Sequence, residues 1–192
     1  MSGRNTLRRT VRVVFVLLAT TLMLPGAALA TQAVAPEHNP PGDIPDNQVF
    51  IWYVSPAGYQ LQVPEGWSRK ISGDTVTFAD KYDTIGIALT SATQAPTVSS
   101  VKTGDVSQLL KNGHAITIKE VSVANLKAGP AIRVVYQSNS EPNAVTGKQT
   151  RLDHERFSYF HVGKIVTLDL AAPAGADNAD QWQLISNSFR WK

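Results

Sequence analysis

"GYQLQVPEGWSRK", Gly58 to Lys70, is the stretch on which the reading of this chain turns. Tyr59, Leu61 and Val63 are apolar, with Gln60 and Gln62 between them. A period of two over five residues marks a strand with one face buried. Pro64 has no N–H to offer a neighbouring strand, so the ladder ends there. Glu65-Gly66 supplies a turn, and Trp67 folds back as an apolar plug before the basic Arg69 and Lys70. The expected unit is a first hairpin, closed by the Pro-Glu-Gly-Trp corner and pinned by its aromatic. The chain enters it through "VFIWYV", Val49 to Val54, with Phe50 and Trp52 on one face and Ile51 and Tyr53 on the other. Apolar residues on both faces read as a strand covered on both sides.

Working outward, further strands are expected at Thr75 to Ala79, Thr84 to Ala92, Ala115 to Val123 and Ala131 to Gln137. "RLDHERFSYFHVGKIVTLDLAA", Arg151 to Ala172, reads as two strands joined near Val162-Gly163. Short strands separated by tight turns argue for an antiparallel meander rather than repeated βαβ units. Two segments have helical spacing. In "TGDVSQLLKNG", Val106, Leu109 and Leu110 share a face, with Thr103 or Asp105 as cap and Gly113 as stop. In "DNADQWQLISNSFRW", Asp177 to Trp191, an apolar stripe runs through Trp182, Ile185 and Phe189, with Asp177 as cap.

The chain begins with a targeting pattern. Arg4, Arg8, Arg9 and Arg12 precede the apolar run "VVFVLLATTLML", and Pro25-Gly26 and then "ALA", Ala28 to Ala30, give a cleavage exit. A membrane-spanning helix needs about 20 apolar residues, so this run reads as a secretory signal peptide, residues 1–30, cut before Thr31. The twin arginines Arg8-Arg9 resemble a second kind of export signal only faintly. Residues 31–48 carry Pro36, Pro40, Pro41 and Pro45 and read as a Pro-rich linker, leaving 49–192 as a single domain.

The formal charge of +3 belongs to the leader. Without its four arginines the chain holds fourteen basic residues against fifteen acidic ones. No basic patch remains to point to nucleic acid, and cleavage would leave no stable membrane anchor. There is no cysteine, which excludes a thiol nucleophile, thiolate-bound zinc and a lipid-modified N-terminal cysteine.

The densest polar cluster is Asp153, His154, Glu155 and Arg156. Alternation along a strand sends Asp153 and Glu155 to one face and His154 and Arg156 to the other, so neighbouring Asp and His form no ready dyad. Cross-strand salt bridges are the expectation, with a binding surface as the functional alternative. Trp67 is read as corner packing, or else as a ligand-stacking aromatic. "GADNAD", Gly175 to Asp180, resembles an acidic metal loop but lacks the spacing and the distal Glu, and a helix cap explains it. His38, His114 and His161 are scattered without zinc spacing. No GxSxG elbow, phosphate loop or dinucleotide fingerprint occurs, and nothing calls for a catalytic residue, a metal or a cofactor.

The "GYQLQVPEGW" entry, the run of strands and the "DQWQLISNSF" terminal helix together resemble the PsbP-like (Mog-type) superfamily over about Val49 to Lys192. The resemblance implies an α+β fold, an α/β/α sandwich around a central antiparallel sheet. Within the family the chain is most similar to secreted actinobacterial proteins that are often lipoproteins, and it departs from them in lacking cysteine. The resemblance implies binding and accessory roles, since relatives act at photosystem II or bind a Ran GTPase, although no functional motif of either branch is matched. The expectation is therefore a secreted, non-catalytic binding or accessory protein of the cell envelope with a protein or small envelope ligand as partner. A small hydrolase using Asp153, His154 or Glu155, and a carrier of a small apolar ligand, are the alternatives.

Overall fold

In the computed structural model, which describes residues 32–38 and 41–192, Tyr59, Leu61 and Val63 are sealed from solvent while Gln60 and Gln62 are half-buried. They lie in β2 (Tyr59–Pro64), paired antiparallel with β1 (Phe50–Ser55) through a turn in which Gly58 takes a φ of 93°. Pro64 ends the strand as expected. The corner behind it closes no hairpin, and this corrects the sequence reading. Gly66, with φ 88°, turns the chain out of one sheet and into another, where β3 (Ser68–Ser72) begins. Trp67 packs partly buried against the main core, whereas every residue of β3 is exposed. The aromatic thus anchors a crossing between layers.

β1 also differs from expectation. Tyr53 and Ser55 are buried, but Trp52 and Val54 on the other face are 44% and 49% exposed. β1 is the edge of a sheet of three strands, completed by β10 (Arg190–Trp191), and the Arg190 guanidinium lies above the exposed Trp52 ring.

The second sheet contains β3, β4 (Thr75–Asp80), β5 (Asp83–Ser91), β6 (Thr117–Leu126), β7 (Gly129–Asn139), β8 (Arg151–His161) and β9 (Lys164–Pro173). Its order is β3-β4-β5-β9-β8-β7-β6, antiparallel throughout, with the β8–β9 hairpin turning at Val162-Gly163. Between β5 and β6 the chain crosses one face as α1 (Val98–Val101), a wide π turn (Lys102–Val106) and α2 (Ser107–Asn112). The helix starts earlier than Thr103 because Thr97 caps it. The Thr97 hydroxyl accepts from the Ser100 N–H, and Ser100 Oγ accepts from the Thr97 N–H. Gly113 stops it as expected, while Val101 and Val106 pack on Ile132, Val134 and Tyr136.

The opposite face carries α3 (Ala179–Ser188) and the small sheet. α3 is shorter than the sequence pattern. Asn178 stands at its cap, but its side chain serves the segment before β1 rather than the helix. Ile185 and Phe189 are fully buried and Trp182 only partly, so the stripe sinks towards its C-terminal end. The result is the expected α/β/α sandwich with a central antiparallel sheet, one outer layer shared between α3 and three strands.

The described part of the Pro-rich segment is not a free spacer. Ile44 is buried and donates its N–H to Asn178 Oδ1 at 2.7 Å; Asn178 Nδ2 donates to Gly42 O at 2.8 Å, and Asn139 Nδ2 to Gln32 O at 2.8 Å. A single buried isoleucine and side-chain amides that satisfy its backbone bind the segment to the domain. The expected leader, residues 1–30, and its exit at Thr31 lie outside the described residues.

Candidate functional site

β8 lies between β7 and β9, so its side chains are flanked from both sides. Strand alternation splits the polar cluster as expected. On the α3 face, Asp153 accepts from Gln137 Nε2 at 2.8 Å and from the Gly175 N–H at 3.1 Å. Glu155 is ion-paired with Arg133, which also reaches Glu120 Oε2 at 3.1 Å. His154 and Arg156 face α1 and α2, where they enter a larger network. Trp67 joins neither group; it packs on the core, as the packing reading expected.

The network centres on Asp169 of β9. Arg156 lies directly across the β8–β9 ladder from it and donates from Nε at 3.0 Å and Nη2 at 2.5 Å to Asp169 Oδ2. The Tyr136 hydroxyl donates to the same oxygen at 2.6 Å. Oδ1 of Asp169 lies 3.2 Å from His154 Nδ1, while His154 Nε2 lies 2.8 Å from Ser138 Oγ. The Tyr136 ring stacks on the imidazole with centroids 4.2 Å apart, and Arg156 Nη1 reaches Asp105 Oδ1 at 2.9 Å. Asp105 sits in the π turn of the crossing helix, so that turn is tied to the sheet beneath it.

Electrostatics fix the proton positions. Burial alone would raise the Asp169 carboxyl, but the hydrogen bond with His154 and the Arg156 charge outweigh it and hold the group down to about 2. An ionised carboxylate only accepts, so Nδ1 carries the proton shared with Oδ1, while Nε2 lies within hydrogen-bond distance of the Ser138 hydroxyl. Burial opposes the Arg156 charge and the Asp169 carboxylate restores it, giving a net shift upward. Burial, reinforced by Asp169, pushes the Tyr136 phenol up, so it stays a neutral donor.

Ser138, His154 and Asp169 have the connectivity of a nucleophile, base and orienting acid. Acyl transfer also needs room for a carbonyl beside Oγ and N–H donors aimed at its oxygen. Ser138 is 7% exposed, and none of the larger cavities among the described residues is lined by Ser138 or His154. What this arrangement does is brace β7, β8 and β9 and hold the helix crossing onto them.

The largest of these cavities, about 540 Å³, lies beside that brace between the crossing helix and the sheet, lined by Thr90, Thr167, Ser158, Val101 and Asp105 among others. It shares Ala95 to Thr97 and Ser158 with a neighbouring apolar pocket of about 280 Å³, walled by Val98, Val123, Ile132 and Phe160. No group of three or more His, Asp or Glu among the described residues is placed to hold a metal ion, and no helix among them is long and apolar enough to cross a membrane.

Sequence reasoning named His154 and Arg156 but missed Asp169, Tyr136, Ser138 and Asp105. One signal was present. A turn at Val162-Gly163 fixes the ladder register and puts residue 156 opposite residue 169, a lone charge between Leu168 and Leu170.

No family model matches the sequence, and no curated protein matches it. Solved structures do. Cyanobacterial PsbP (CyanoP) from Synechocystis sp. PCC 6803 superposes with a TM-score of 0.52 at 14% identity, over 79% of this chain and 98% of that one. The Ran-binding protein Mog1p of Saccharomyces cerevisiae gives 0.48 at 8% identity, over 74% of this chain and 95% of that one. LpqN of Mycobacterium tuberculosis, involved in cell envelope biogenesis, gives 0.44 at 14% identity, over 75% and 90%. At these identities the likeness speaks for architecture alone, and by its layers, its meander and its match to cyanobacterial PsbP this chain has the PsbP fold.

Proposed function

We propose that this chain is an exported binding or accessory protein of the cell envelope that works without turnover. The observation that carries the reading is the closure of the Ser138–His154–Asp169 relay: Ser138 is buried, and no larger cavity among the described residues reaches it. Export rests on the basic, apolar and small-residue segments of the first thirty residues. In this reading the chain stands beside the secreted actinobacterial proteins of this fold, without the cysteine that would carry a lipid. Its partner is a protein or a small envelope ligand.

The test has two arms. Exported material should begin at Thr31 by intact mass; Met1-derived peptides retained in the membrane would refute export. The wild-type chain should consume nothing from a panel of ester, peptide and glycan substrates. Turnover by the wild type that is lost in both Ser138→Ala and His154→Ala would replace binding by hydrolysis.

One observation favours a second reading, carriage of a small apolar ligand. The polar and apolar cavities between helix and sheet adjoin, and Asp105 Oδ2 is buried beside them without a hydrogen-bond partner. A dansylated long-chain amine would report it: saturable binding weakened by Val123→Asp supports a carrier, and indifference to that change refutes it.

A further inference from the structure

We infer that the free edge of β1 is a docking site for an extended segment of another protein, bound as an added fourth strand of the small sheet and carrying an acidic residue at its centre. The inference rests on the binding reading above and places its contact surface.

Among the described residues β1 pairs only with β2. The Glu65 N–H donates to Val49 O, so residues 49, 51, 53 and 55 form the hydrogen-bonded pairs of that ladder. The N–H and C=O groups of Phe50, Trp52 and Val54 therefore point the other way, along an open edge. Natural edges are blunted by prolines, bulges or charged side chains. None of these occurs in Phe50–Ser55, where Ile51, Trp52 and Val54 are 45%, 44% and 49% exposed.

The layers beneath show the space an added strand would fill. The small sheet has three strands and the sheet it lies on has seven. Tyr53 packs edge-on against Phe78 of β4, and in β3, the next strand out, every residue is exposed. Ile71 of β3 is 59% exposed, although it lies on the same face as the buried Val76 and Phe78. A cavity of about 160 Å³ opens there, lined by Tyr53, Tyr59, Ile71, Val76 and Leu89, with Asp74 at its rim. An added strand would present alternate side chains to this cavity and to Ile71, while its backbone completes the ladder.

Charge identifies the occupant. Arg69 lies 6.0 Å from the Tyr53 ring centroid on the inner face, and Arg190 lies 5.1 Å from the Trp52 ring centroid on the outer face. Neither has an ion-pair partner among the described residues. Both flank the middle of β1, with Glu65 opposite Val49 at one end and Asp74 at the other. A carboxylate at the middle of the incoming strand meets this pattern. A second copy of the chain does not, because two-fold pairing of β1 would set arginines against arginines.

The probe is a blocked peptide of about eight residues alternating valine and threonine, with one central glutamate, compared with the same peptide carrying lysine there. Titrated into the 15N-labelled mature chain, the glutamate peptide should shift the amides of Phe50, Trp52 and Val54 and slow their hydrogen exchange. It should bind about tenfold more tightly than the lysine peptide, with the ratio shrinking as salt is added. Val54→Pro removes an edge N–H that β2 does not use, and should weaken binding about tenfold while leaving the fold intact, as the remaining amide spectrum shows. Amide shifts elsewhere, equal affinity for both peptides, or binding unaffected by Val54→Pro would overturn the site. So would concentration-dependent dimerisation that protects the same amides and excludes the peptide. A failed edge with no turnover of substrates leaves the binding reading standing; substrate turnover overturns that reading whatever the edge does.

Discussion

Asp83 is a carboxylate that the fold keeps at a cost. It opens β5, is 5% exposed, and its Oδ1 has no hydrogen-bond partner. Asp80 faces it across the β4–β5 turn, Asp43 approaches from the docked segment, and only Lys81 offers a compensating charge. Burial first, then the two neighbouring carboxylates, raise its pKa from 3.8 to about 7. The sign follows. Below about pH 4 the group is protonated in both folded and unfolded chains and costs nothing. Between about pH 4 and pH 7 the unfolded chain loses the proton while the folded one holds it, so stability falls as pH rises; above about pH 7 the penalty is constant. The gap between 3.8 and about 7 sets a ceiling of about 4 kcal/mol. Relaxation and penetrating water reduce such penalties, and about 2 kcal/mol is the expected effect. Asp83→Asn keeps the shape and removes the charge. It should gain about 2 kcal/mol in urea melts at pH 8, or roughly 4–8 °C in Tm, and almost nothing at pH 4. An equal change at both pH values, or a loss at pH 8, would refute the reasoning.

Three other changes test the packing, the brace and the docked segment. Phe189→Ala should cost about 3–5 kcal/mol in urea melts, because Phe189 is fully buried and stacks on Tyr159 at 4.1 Å, whereas Trp182→Ala at a half-buried site should cost about 1–2 kcal/mol; equal losses would contradict the burial order. Asp169→Asn should cost about 2–4 kcal/mol near neutrality by leaving the buried Arg156 charge with Asp105 as its one carboxylate partner among the described residues. Since the Asp169 carboxyl lies at about 2, its contribution is complete above about pH 4 and is lost as pH falls through 2, so the variant should lose that acid limb, and a limb unchanged in melts from pH 2 to 5 would assign it elsewhere. Gly42→Ala places a Cβ 2.7 Å from Pro173 Cδ at a φ of 132°, and should release the segment at a cost of about 1–3 kcal/mol, with faster hydrogen exchange at the Ile44 N–H; unchanged exchange would refute the docking.

The strands were legible because a one-sided strand writes its burial as alternation, and Tyr59, Leu61 and Val63 obey it. β1 was misread for a related reason. Apolar residues on both faces resemble a strand buried on both faces, and nothing local tells Trp52 that it stands at an edge. The destination of the corner after Pro64 depends on which layer receives β3, a tertiary fact. The helix start at Thr97 lay upstream of the apolar periodicity, in a Thr97–Ser100 box of two small residues. In the site, the grouping of Arg156 with Asp169 follows from a turn the sequence did show. The addition of Ser138 and Tyr136 does not, because the β7–β8 register is set across the long connection between Asn139 and Arg151, whose length fixes no pairing.

The seam between β5 and β9 has a consequence for how the molecule comes into being. β3 to β5 form one local meander and β6 to β9 another, each built from neighbours in sequence. In the sheet the two halves meet along the β5–β9 ladder, which runs from Thr84 opposite Ala171 to Ser91 opposite Lys164. Phe189, the keystone between Tyr59 and Tyr159, comes later still. A chain synthesised from its N-terminus can form its first meander early, but the seam cannot close before β9 is available, nor the core lock before Phe189 is. Until then the two meanders are held together neither by the seam nor by the contacts of Phe189.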